Sequence, residues 1–440
     1  MGNIYNEAQE VCKIMSRIYE GRLTTVSGGN ISLMDSQGNI WITPSGGDKA
    51  RYKEEDILKI TAEGKVEGKG KPSVETEIHK ALYAVNQNFK GVVHAHPPAL
   101  VATSLIRKKP ETMLIPKVAN NIKNIQMAKY ACPGTTALKD NVKKVFKENA
   151  GCNSAILENH GAFVASEYGL KEAFGLFEDL NLSISIQSKA MAFSGLSPKL
   201  ITKEQMSVYN KHAHDNRLTC MPLQEDFREY DDSEKLLREK ICDIATRAYK
   251  RKLMTQNIGV ISARLNENTF VITQSNANKA ELKAENLVKI KDGMAEKGKI
   301  PSKSVLLHKK IYDENPDINA IIMSAPENAM VFAVTDLEYD LKTIPECYIV
   351  LRERIEKFPF GSTISRKEEL SEYFKQKSPV AIIENDCYIC TGSSLFNAFD
   401  KLEVIEFSTQ AVIQAKELGG IITPITEDEV LEIKTKFGII

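Results

Sequence analysis

The sequence predicts an α/β protein that is built from two tandem copies of one domain. The 440-residue chain matches itself at an offset of about 230 residues. Trp41-Ile42-Thr43-Pro44-Ser45 recurs as Val271-Ile272-Thr273-Gln274-Ser275, and Ile156-Leu157-Glu158-Asn159 recurs as Ile382-Ile383-Glu384-Asn385. Segments with apolar residues at helical spacing alternate with short apolar runs that are typical of strands. Length alone suggests two or three domains, and the repeat favours two.

Four segments are predicted to be helices. Glu7–Tyr19 carries apolar residues at helical spacing, and Glu234–Tyr249 does the same in the second copy, behind Asp232-Ser233 as a possible cap. Val74–Val85 is predicted to be a helix that places Glu75 in its first turn. Glu167–Gln187 is predicted to be a long helix near the end of the first copy.

Two apolar runs predict strands that carry the most informative residues of the chain at their ends. Gly91-Val92-Val93 precedes a turn at Pro97-Pro98, and Ala155-Ile156-Leu157 ends shortly before a glycine. Gly38-Asn39 predicts a hairpin turn between two further strands.

The weakest periodicity in the chain lies between about residues 195 and 231, a polar stretch broken by Pro198 and Pro222. We therefore predict a first domain over residues 1–200, a linker over 201–231 and a second domain over 232–440.

Composition excludes several function classes. Lysine plus arginine and aspartate plus glutamate both number 58, so the net charge is zero and we expect neither a nucleic-acid partner nor a membrane. The N-terminal residues do not combine a basic segment with an apolar core, so no signal peptide is predicted. Eight scattered cysteines suit a reducing compartment. A cytoplasmic protein is expected.

Three histidines predict a catalytic zinc site in the first copy. His94 and His96 are two positions apart at a strand end, so both side chains point to one face, and His160 follows a second strand. Three protein ligands with an open fourth position are the pattern of catalytic zinc. The second copy has Met323, Ala325 and Asp386 at the matching positions. We therefore expect one zinc ion per chain.

Glu75 is the candidate acid/base. A glutamate at a helix start is by itself typical of a solvated residue that complements the helix dipole. Here the second copy has Ser304 in its place and has lost the histidines as well, which favours catalysis.

A set of glycines and small polar residues predicts a phosphate-binding cradle. Glycines allow backbone N–H groups to approach an anion, and hydroxyl and amide groups add donors. In the second copy Ile258 and Val260 stand at two of these positions, where β-branched side chains would spoil such a cradle. The candidate residues are Gly28, Gly29, Asn30, Ser45, Gly46 and Ser73.

In order and spacing, these motifs resemble the class II aldolase/adducin family. The resemblance covers nearly all of residues 1–200 and, in weakened form, about 232–440. It implies two three-layer α/β/α domains, each around a largely antiparallel sheet, and a zinc lyase, epimerase or dehydratase that acts on sugar phosphates. The motifs are Ser27-Gly28-Gly29-Asn30-Ile31-Ser32, Thr43-Pro44-Ser45-Gly46, Pro72-Ser73-Val74-Glu75, His94-Ala95-His96-Pro97 and Asn159-His160-Gly161.

The reaction that this resemblance favours is a zinc-dependent aldol cleavage. A phosphorylated ketose would give dihydroxyacetone phosphate and an aldehyde through an enediolate held by zinc, with Glu75 moving the proton. Epimerisation, dehydration or decarboxylation at the same site is the alternative, and a non-enzymatic adducin-like interaction protein is the rival from another class.

Two features bear on these alternatives. Fuculose-phosphate aldolase uses a tyrosine after the paired histidines, whereas this chain has none between His96 and Tyr130. Another residue serves, or the substrate differs. The family commonly forms four-fold rings with sites at subunit boundaries, which implies a homodimer of tandem chains that forms a pseudo-four-fold ring.

Overall fold

The computed structural model describes residues 6–218, 230–352, 354–376 and 378–439. They form two compact units. One comprises residues up to 112 and 118–185, and the other comprises 113–117 and the residues from 186 onward. Within these described ranges no helix combines the length and the apolar character that crossing a membrane requires.

The first unit is built on an eight-stranded sheet with the order β4-β3-β2-β1-β5-β8-β7-β6. All neighbouring strands are antiparallel except β6 and β7, which are parallel. The predicted hairpin turn joins β1 to β2, with Gly38 at a φ of 83°. The strands are β1 (Asn30–Met34), β2 (Ile40–Ile42), β3 (Leu58–Ile60), β4 (Val66–Glu67), β5 (Gly91–Ala95), β6 (Gln126–Ala128), β7 (Ser154–Leu157) and β8 (Ala162–Ser166).

Helices separate and follow these strands. The first begins behind Asn6, whose side chain accepts a hydrogen bond from the Gln9 backbone N–H, a common N-cap. It buries Val11, Ile14 and Ile18 along one face. The helices are α1 (Glu7–Glu20), α2 (Thr76–Val85), α3 (Pro98–Leu105), α4 (Pro116–Asn121), α5 (Thr136–Glu148) and α6 (Leu170–Ser194).

One face of the first sheet packs against α2 and α5. Ile78 and Leu82 of α2 and Leu138 of α5 share a core with Val92 of β5 and Phe163 of β8. Because strand side chains alternate between faces, His94, two residues after Val92, lies on this same face. The sheet thus directs His94 towards the start of α2.

The second sheet repeats the first strand for strand, in the order β12-β11-β10-β9-β13-β16-β15-β14. Its parallel pair, β14 and β15, lies at the equivalent edge. The predicted fold class, two tandem α/β domains around mostly antiparallel sheets, is confirmed. The strands are β9 (Val260–Asn266), β10 (Thr269–Thr273), β11 (Leu287–Lys291), β12 (Met294–Ala295), β13 (Ala320–Ser324), β14 (Glu356–Phe358), β15 (Val380–Ile383) and β16 (Cys387–Gly392).

The remaining helices include one that lies in the predicted linker. Helix α7 occupies residues 203–218, and residues 219–229 of the linker lie outside the described ranges. The domain limits stay a prediction. The helices are α7 (Lys203–Leu218), α8 (Asp232–Lys250), α9 (Val305–Glu314), α10 (Met330–Ala333), α11 (Pro345–Leu351), α12 (Ser362–Ser365), α13 (Lys367–Gln376), α14 (Leu395–Glu417) and α15 (Glu427–Phe437).

Candidate metal centre and active site

Two strand ends bring the three predicted ligands together. His94 lies in β5, and His96 is the first residue after that strand. Strand β8 pairs with β5, and Phe163 lies opposite His94. His160 lies in the turn between β7 and β8, where Asn159 has a φ of 56° and the Leu157 N–H donates to the Gly161 carbonyl at 2.8 Å. One ligand atom from each histidine lies within 4.8 Å of the others.

The ring of His94 is held in one orientation. Its Nδ1 lies 3.0 Å from the carbonyl oxygen of Ala162, and its ring stacks on Phe163 with 4.1 Å between centroids. Because a carbonyl only accepts hydrogen bonds, Nδ1 carries the proton and Nε2 presents a lone pair. That Nε2 lies 3.0 Å from Nε2 of His96, so both nitrogens can bind the same ion.

Glu75 lies beside this point. It occupies the N-cap position of α2 and is 4% exposed. Its Oε2 accepts a hydrogen bond from Asn30 Nδ2 at 2.7 Å and lies 3.2 Å from His94 Nε2. Its Oε1 lies 3.9 Å from His160 Nε2 and accepts no hydrogen bond from any described residue. A buried carboxylate oxygen without a donor needs a ligand, a metal or a proton to satisfy it.

The site sets the charges of its own groups. Burial alone would raise the pKa of Glu75, but the neighbouring His94 and the hydrogen bond from Asn30 hold this pKa well below its ordinary value. Burial and the neighbouring His94 lower the pKa of His96 to about 3 and that of His160 to about 4. At neutral pH a carboxylate therefore faces imidazoles that can donate lone pairs to a cation.

A buried network behind Glu75 extends the site beyond the predicted residues. Asn30 Oδ1 lies 2.6 Å from His79 Nε2, His79 Nδ1 lies 2.7 Å from Ser32 Oγ, and Ser32 Oγ lies 2.8 Å from the Tyr83 hydroxyl. Because the Asn30 amide nitrogen donates to Glu75, its oxygen accepts from His79. The hydrogen bonds therefore all point in one direction: Tyr83 donates to Ser32, Ser32 donates to His79, and His79 donates to Asn30.

The second copy keeps the serine, histidine and tyrosine of this network and lacks the asparagine and the glutamate. Ser262 Oγ lies 2.7 Å from both His308 Nδ1 and the Tyr312 hydroxyl, as in the first copy. His308 Nε2 meets the sulfur of Met323 at 3.1 Å instead of an amide oxygen. This histidine therefore has a hydrogen-bonding role in both copies, and the link of His79 to Glu75 is present in the first copy alone among the described residues.

The residue of the second copy at the position of His160 is also consistent with the loss of the metal site. Asp386, at the position of His160, is half-buried, and burial raises its pKa to about 6. Among the residues that the structure describes, the histidine trio of the first copy is the group of side chains found able to hold a metal.

The predicted phosphate cradle divides into two parts. At Gly28 a Cβ would lie 3.2 Å from His96 Nδ1, and at Gly29, with a φ of 71°, a Cβ would lie 2.7 Å from the His94 carbonyl oxygen. These two glycines therefore let the loop before β1 pack against the histidine strand. Asn30, which follows them, keeps one amide hydrogen beyond the one donated to Glu75.

The second part of the cradle is joined by a bridge between Pro44 and Pro72. Ser45 N–H donates to the Lys71 carbonyl at 2.9 Å, and Ser73 Oγ accepts from the Glu75 N–H at 3.3 Å. Gly46 has a φ of 75° and open space around it. The bridge places Ser45-Gly46 beside the segment that leads to Glu75.

The donor set fits zinc. Neutral imidazole nitrogens are ordinary zinc ligands, three protein ligands leave one position open, and the His94 Nδ1 proton is held by a backbone carbonyl as in many zinc sites. Oε1 of Glu75, which accepts no hydrogen bond from the described residues, adds a negative charge beside the position where the three histidines would hold the cation.

This fold and this site define a class of protein that comparisons with known families make explicit. The model of the class II aldolase and adducin N-terminal domain matches residues 9–188 and again residues 239–413. The chain belongs to the class II aldolase and adducin family and carries the family domain twice.

Known relatives match about one copy each. The 5-deoxy-D-ribulose 1-phosphate aldolase of Bacillus thuringiensis serovar kurstaki is 29% identical over 206 residues, which are 46% of this chain and 93% of the relative. The 3-oxo-tetronate 4-phosphate decarboxylase of Escherichia coli is 30% identical over 176 residues, 39% of this chain and 81% of the relative. A solved L-fuculose-1-phosphate aldolase from Thermus thermophilus is 26% identical with a TM-score of 0.36, covering 43% of this chain and 98% of its own. Aldolases and decarboxylases of this superfamily are lyases.

Proposed function

We propose that this protein is a zinc-dependent lyase that cleaves a phosphorylated ketose into dihydroxyacetone phosphate and an aldehyde. The observation that carries the proposal is the meeting of His94, His96 and His160 beside the buried carboxylate of Glu75. The phosphorylated substrates in the names of the relatives support a sugar phosphate as the substrate class.

The three histidines would hold the metal and fix its position. A zinc ion bound there supplies Lewis acidity, which polarises a ketone and an adjacent hydroxyl and favours negative charge on the substrate. Histidine ligands leave the charge of the ion uncompensated, since each is neutral. The ring of His94 is already oriented by Ala162 and Phe163, so little rearrangement is needed on binding.

Glu75 would move the proton. Cleavage between C3 and C4 of the ketose leaves a three-carbon fragment that must gain a proton at C3 to become dihydroxyacetone phosphate. Oε1 of Glu75 is the oxygen free to carry it, because Oε2 is held by Asn30. Since Glu75 is ionised at neutral pH, it must first take up the proton that the C4 hydroxyl loses as the C3–C4 bond breaks, and it then delivers that proton to C3.

Phosphate binding would fall to the two-part cradle. Backbone N–H groups of Gly29 and Gly46, the Asn30 amide and the hydroxyls of Ser45 and Ser73 are the proposed donors. Gly28, whose N–H donates to the Thr25 carbonyl at 3.2 Å, would let the loop approach the phosphate. The C4 hydroxyl loses its proton as the aldehyde forms, and the group that passes this proton on lies outside the proposed set.

Decarboxylation is the second candidate, because a 3-oxo-tetronate 4-phosphate decarboxylase is among the similar proteins. Epimerisation and dehydration at the same metal site are the further alternatives. A product assay with ketose 1-phosphates and with a 3-oxo-tetronate 4-phosphate decides. Release of dihydroxyacetone phosphate and an aldehyde from a ketose 1-phosphate supports the aldolase. Release of carbon dioxide from the 3-oxo-tetronate 4-phosphate, which leaves the same triose phosphate, together with no cleavage of the ketose 1-phosphates overturns it in favour of the decarboxylase.

For the second copy we propose a structural and assembly role. It keeps the framework but has Ser304, Met323, Ala325 and Asp386 in place of the catalytic and ligand residues. We propose a homodimer of tandem chains in a pseudo-four-fold ring, with one zinc ion per chain. A cytoplasmic location is proposed from the unpaired state of the described cysteines.

A further inference from the structure

A buried lysine distinguishes the long helix of the second copy from that of the first. Ala173-Phe174 of α6 recurs as Ala398-Phe399 of α14, so Leu176 matches Lys401. Both side chains are buried, with exposures of 5% and 6%. A leucine at such a position belongs to an apolar core, whereas a lysine is rarely buried to this extent unless its ammonium group has a partner. The second copy therefore carries a positive charge where the first copy carries a hydrocarbon.

The ammonium group of Lys401 has only neutral partners among the described residues. Its Nζ donates to the side-chain oxygen of Asn397 at 2.5 Å and lies 3.5 Å from the Asn397 carbonyl oxygen. An ammonium group has three N–H donors, so one of them is left for a further acceptor. In the first copy Glu172 stands at the position of Asn397, four residues before Leu176. The second copy has thus gained an ammonium group and lost a carboxylate on one helix face.

A second cation lies near this ammonium group. Arg352 directly follows α11, is exposed and forms no ion pair with a described residue. Burial lowers the pKa of Lys401, and the charge of Arg352 acts in the same direction, while Asp400 opposes it. Asp400 is the preceding residue on the helix, so its side chain points about 100° away from that of Lys401. Two neighbouring cations without a carboxylate partner favour an anion between them.

Both cations line an open pocket of about 530 Å³ in the second unit. This volume is in the range of small-molecule sites. Lys375 contributes a third cation, and Asp317 and Asp400 contribute two carboxylates, so the lining is net positive. The pocket lies beside the paired ends of β13 and β16, at Ala320 and Gly392, whereas Met323 lies at the other end of β13. It is therefore separate from the counterpart of the histidine site.

The start of α14 adds backbone donors to this pocket. Helix α14 has 23 residues and begins behind Ser394, and Gly392 packs so closely that a Cβ there would lie 2.6 Å from the Ala398 nitrogen. Side chains on a helix point back towards its N-terminus, and the bond from Lys401 to Asn397 shows that the ammonium group reaches the first turn. Unpaired N–H groups and the positive end of the helix dipole favour an anion at this position.

We propose that this pocket binds a phosphate group between Lys401, Arg352 and the first turn of α14. The guanidinium group of Arg352 suits two phosphate oxygens at once, and the ammonium group of Lys401 supplies a compact charge from below. The pocket is larger than a phosphate ion, so the rest of it can hold the carbon skeleton of a small phosphate monoester. The second copy then has a binding role besides its structural one, and this role does not depend on the proposed function.

Calorimetric titration of the full chain with glycerol 3-phosphate and with inorganic phosphate tests the pocket. Lys401→Met removes the charge at nearly constant length, and Leu176 shows that the fold accepts an apolar side chain at this position. We expect one phosphate site per chain fewer in Lys401→Met than in wild type, or the same site weakened by about tenfold or more. Arg352→Gln, at an exposed side chain, should weaken that site by a similar factor.

Lys416→Met is the matched control. Lys416 is exposed on the same helix, about 22 Å along its axis from Lys401, so this substitution removes one positive charge outside the pocket. Its phosphate binding should equal that of wild type. Unchanged binding in a folded Lys401→Met would overturn the proposal, and so would an equal loss in Lys416→Met. If Lys401→Met fails to fold, Arg352→Gln decides, and wild-type binding in that variant overturns the proposal.

The two probes distinguish the possible sources of the phosphate group. Tighter binding of glycerol 3-phosphate at the site lost in Lys401→Met supports a phosphorylated metabolite, and equal binding of both probes supports free phosphate. Zinc content should be the same in wild type and Lys401→Met, because the three histidines lie in the first copy. Missing zinc or missing lyase activity in the wild-type protein would contradict the proposed function and leave the difference between wild type and Lys401→Met intact.

Discussion

Replacing Glu75 by glutamine separates proton transfer from every other role of this residue. The amide oxygen of glutamine can accept the hydrogen bond that Asn30 Nδ2 gives to Oε2 at 2.7 Å. The amide nitrogen then lies where Oε1 lies now, at a position without a hydrogen-bond donor among the described residues. The shape and packing of the site are kept, but the group can no longer take up a proton at neutral pH.

The expected loss is confined to catalysis. A positioned general acid or base contributes about 10²–10⁴ in rate, which corresponds to about 3–5 kcal/mol in the activation barrier. We expect Glu75→Gln to lower kcat by this factor, with zinc content near that of wild type. The measurements are dihydroxyacetone phosphate release in a coupled assay, metal analysis, and the melting temperature of the purified variant.

Glu77→Gln is the matched control. Glu77 lies on the same helix, but it is exposed and forms a surface ion pair with Lys80 at 2.8 Å. Such pairs contribute about 0–1 kcal/mol, so this variant should behave as wild type. If Glu75→Gln kept its zinc and worked within a few-fold of wild type, Glu75 would not be the acid/base, and its free Oε1 would have no part in proton transfer.

The other predictions concern the metal and the two buried histidines. Purified protein should carry about one zinc per chain, and His96→Ala should lose most of it with the fold intact by circular dichroism; a zinc content near two, or unchanged in the variant, would contradict the ligand assignment. His79→Phe and His308→Phe should lose similar stability, about 1–3 kcal/mol each, but only the first should lower kcat, because only His79 supports Asn30 and Glu75; equal kcat values would refute the link. Burial lowers the pKa of His308 to about 3 from an ordinary 6.5, so the unfolded chain binds more protons between these values and stability falls as the pH drops through them. At pH 5 the cost is about 2 kcal/mol, and thermal melts at pH 5 and 7.5 should show a smaller pH effect in His308→Phe than in wild type.

The sequence was sufficient for the fold class because the duplication supplies its own control. Residues that differ between copies, such as His94 and Glu75, belong to the chemistry, and shared patterns belong to the framework. Helix limits were less accurate: α6 begins three residues after its predicted start and continues to Ser194. The periodicity of α7 is weak because much of that helix is exposed, so its segment resembled a linker.

The link from His79 to Glu75 could not be read from the chain. Serine and tyrosine carry no catalytic signal by themselves, and the hydrogen bonds of Ser32 to His79 and to Tyr83 depend on how α2 sits on β1. One signal was available, since Ser262, His308 and Tyr312 retain the same three residue types. Comparison of the copies shows that they stay together but not that the open end of the network reaches a carboxylate.

The contact between His308 and Met323 would make it difficult to rebuild a metal site in the second copy. Because the side chain of Val260 offers no acceptor, the sulfur of Met323 accepts the hydrogen bond of the His308 Nε2–H group. Restoring a histidine at Met323 alone would remove that acceptor and leave a buried N–H unsatisfied, at a cost of about 1–3 kcal/mol. Restoring an asparagine at Val260 alone would place an amide beside a sulfur, with Ser304 in place of the glutamate. A metal site in the second copy therefore requires several simultaneous changes, because each single change leaves a buried polar group without its partner.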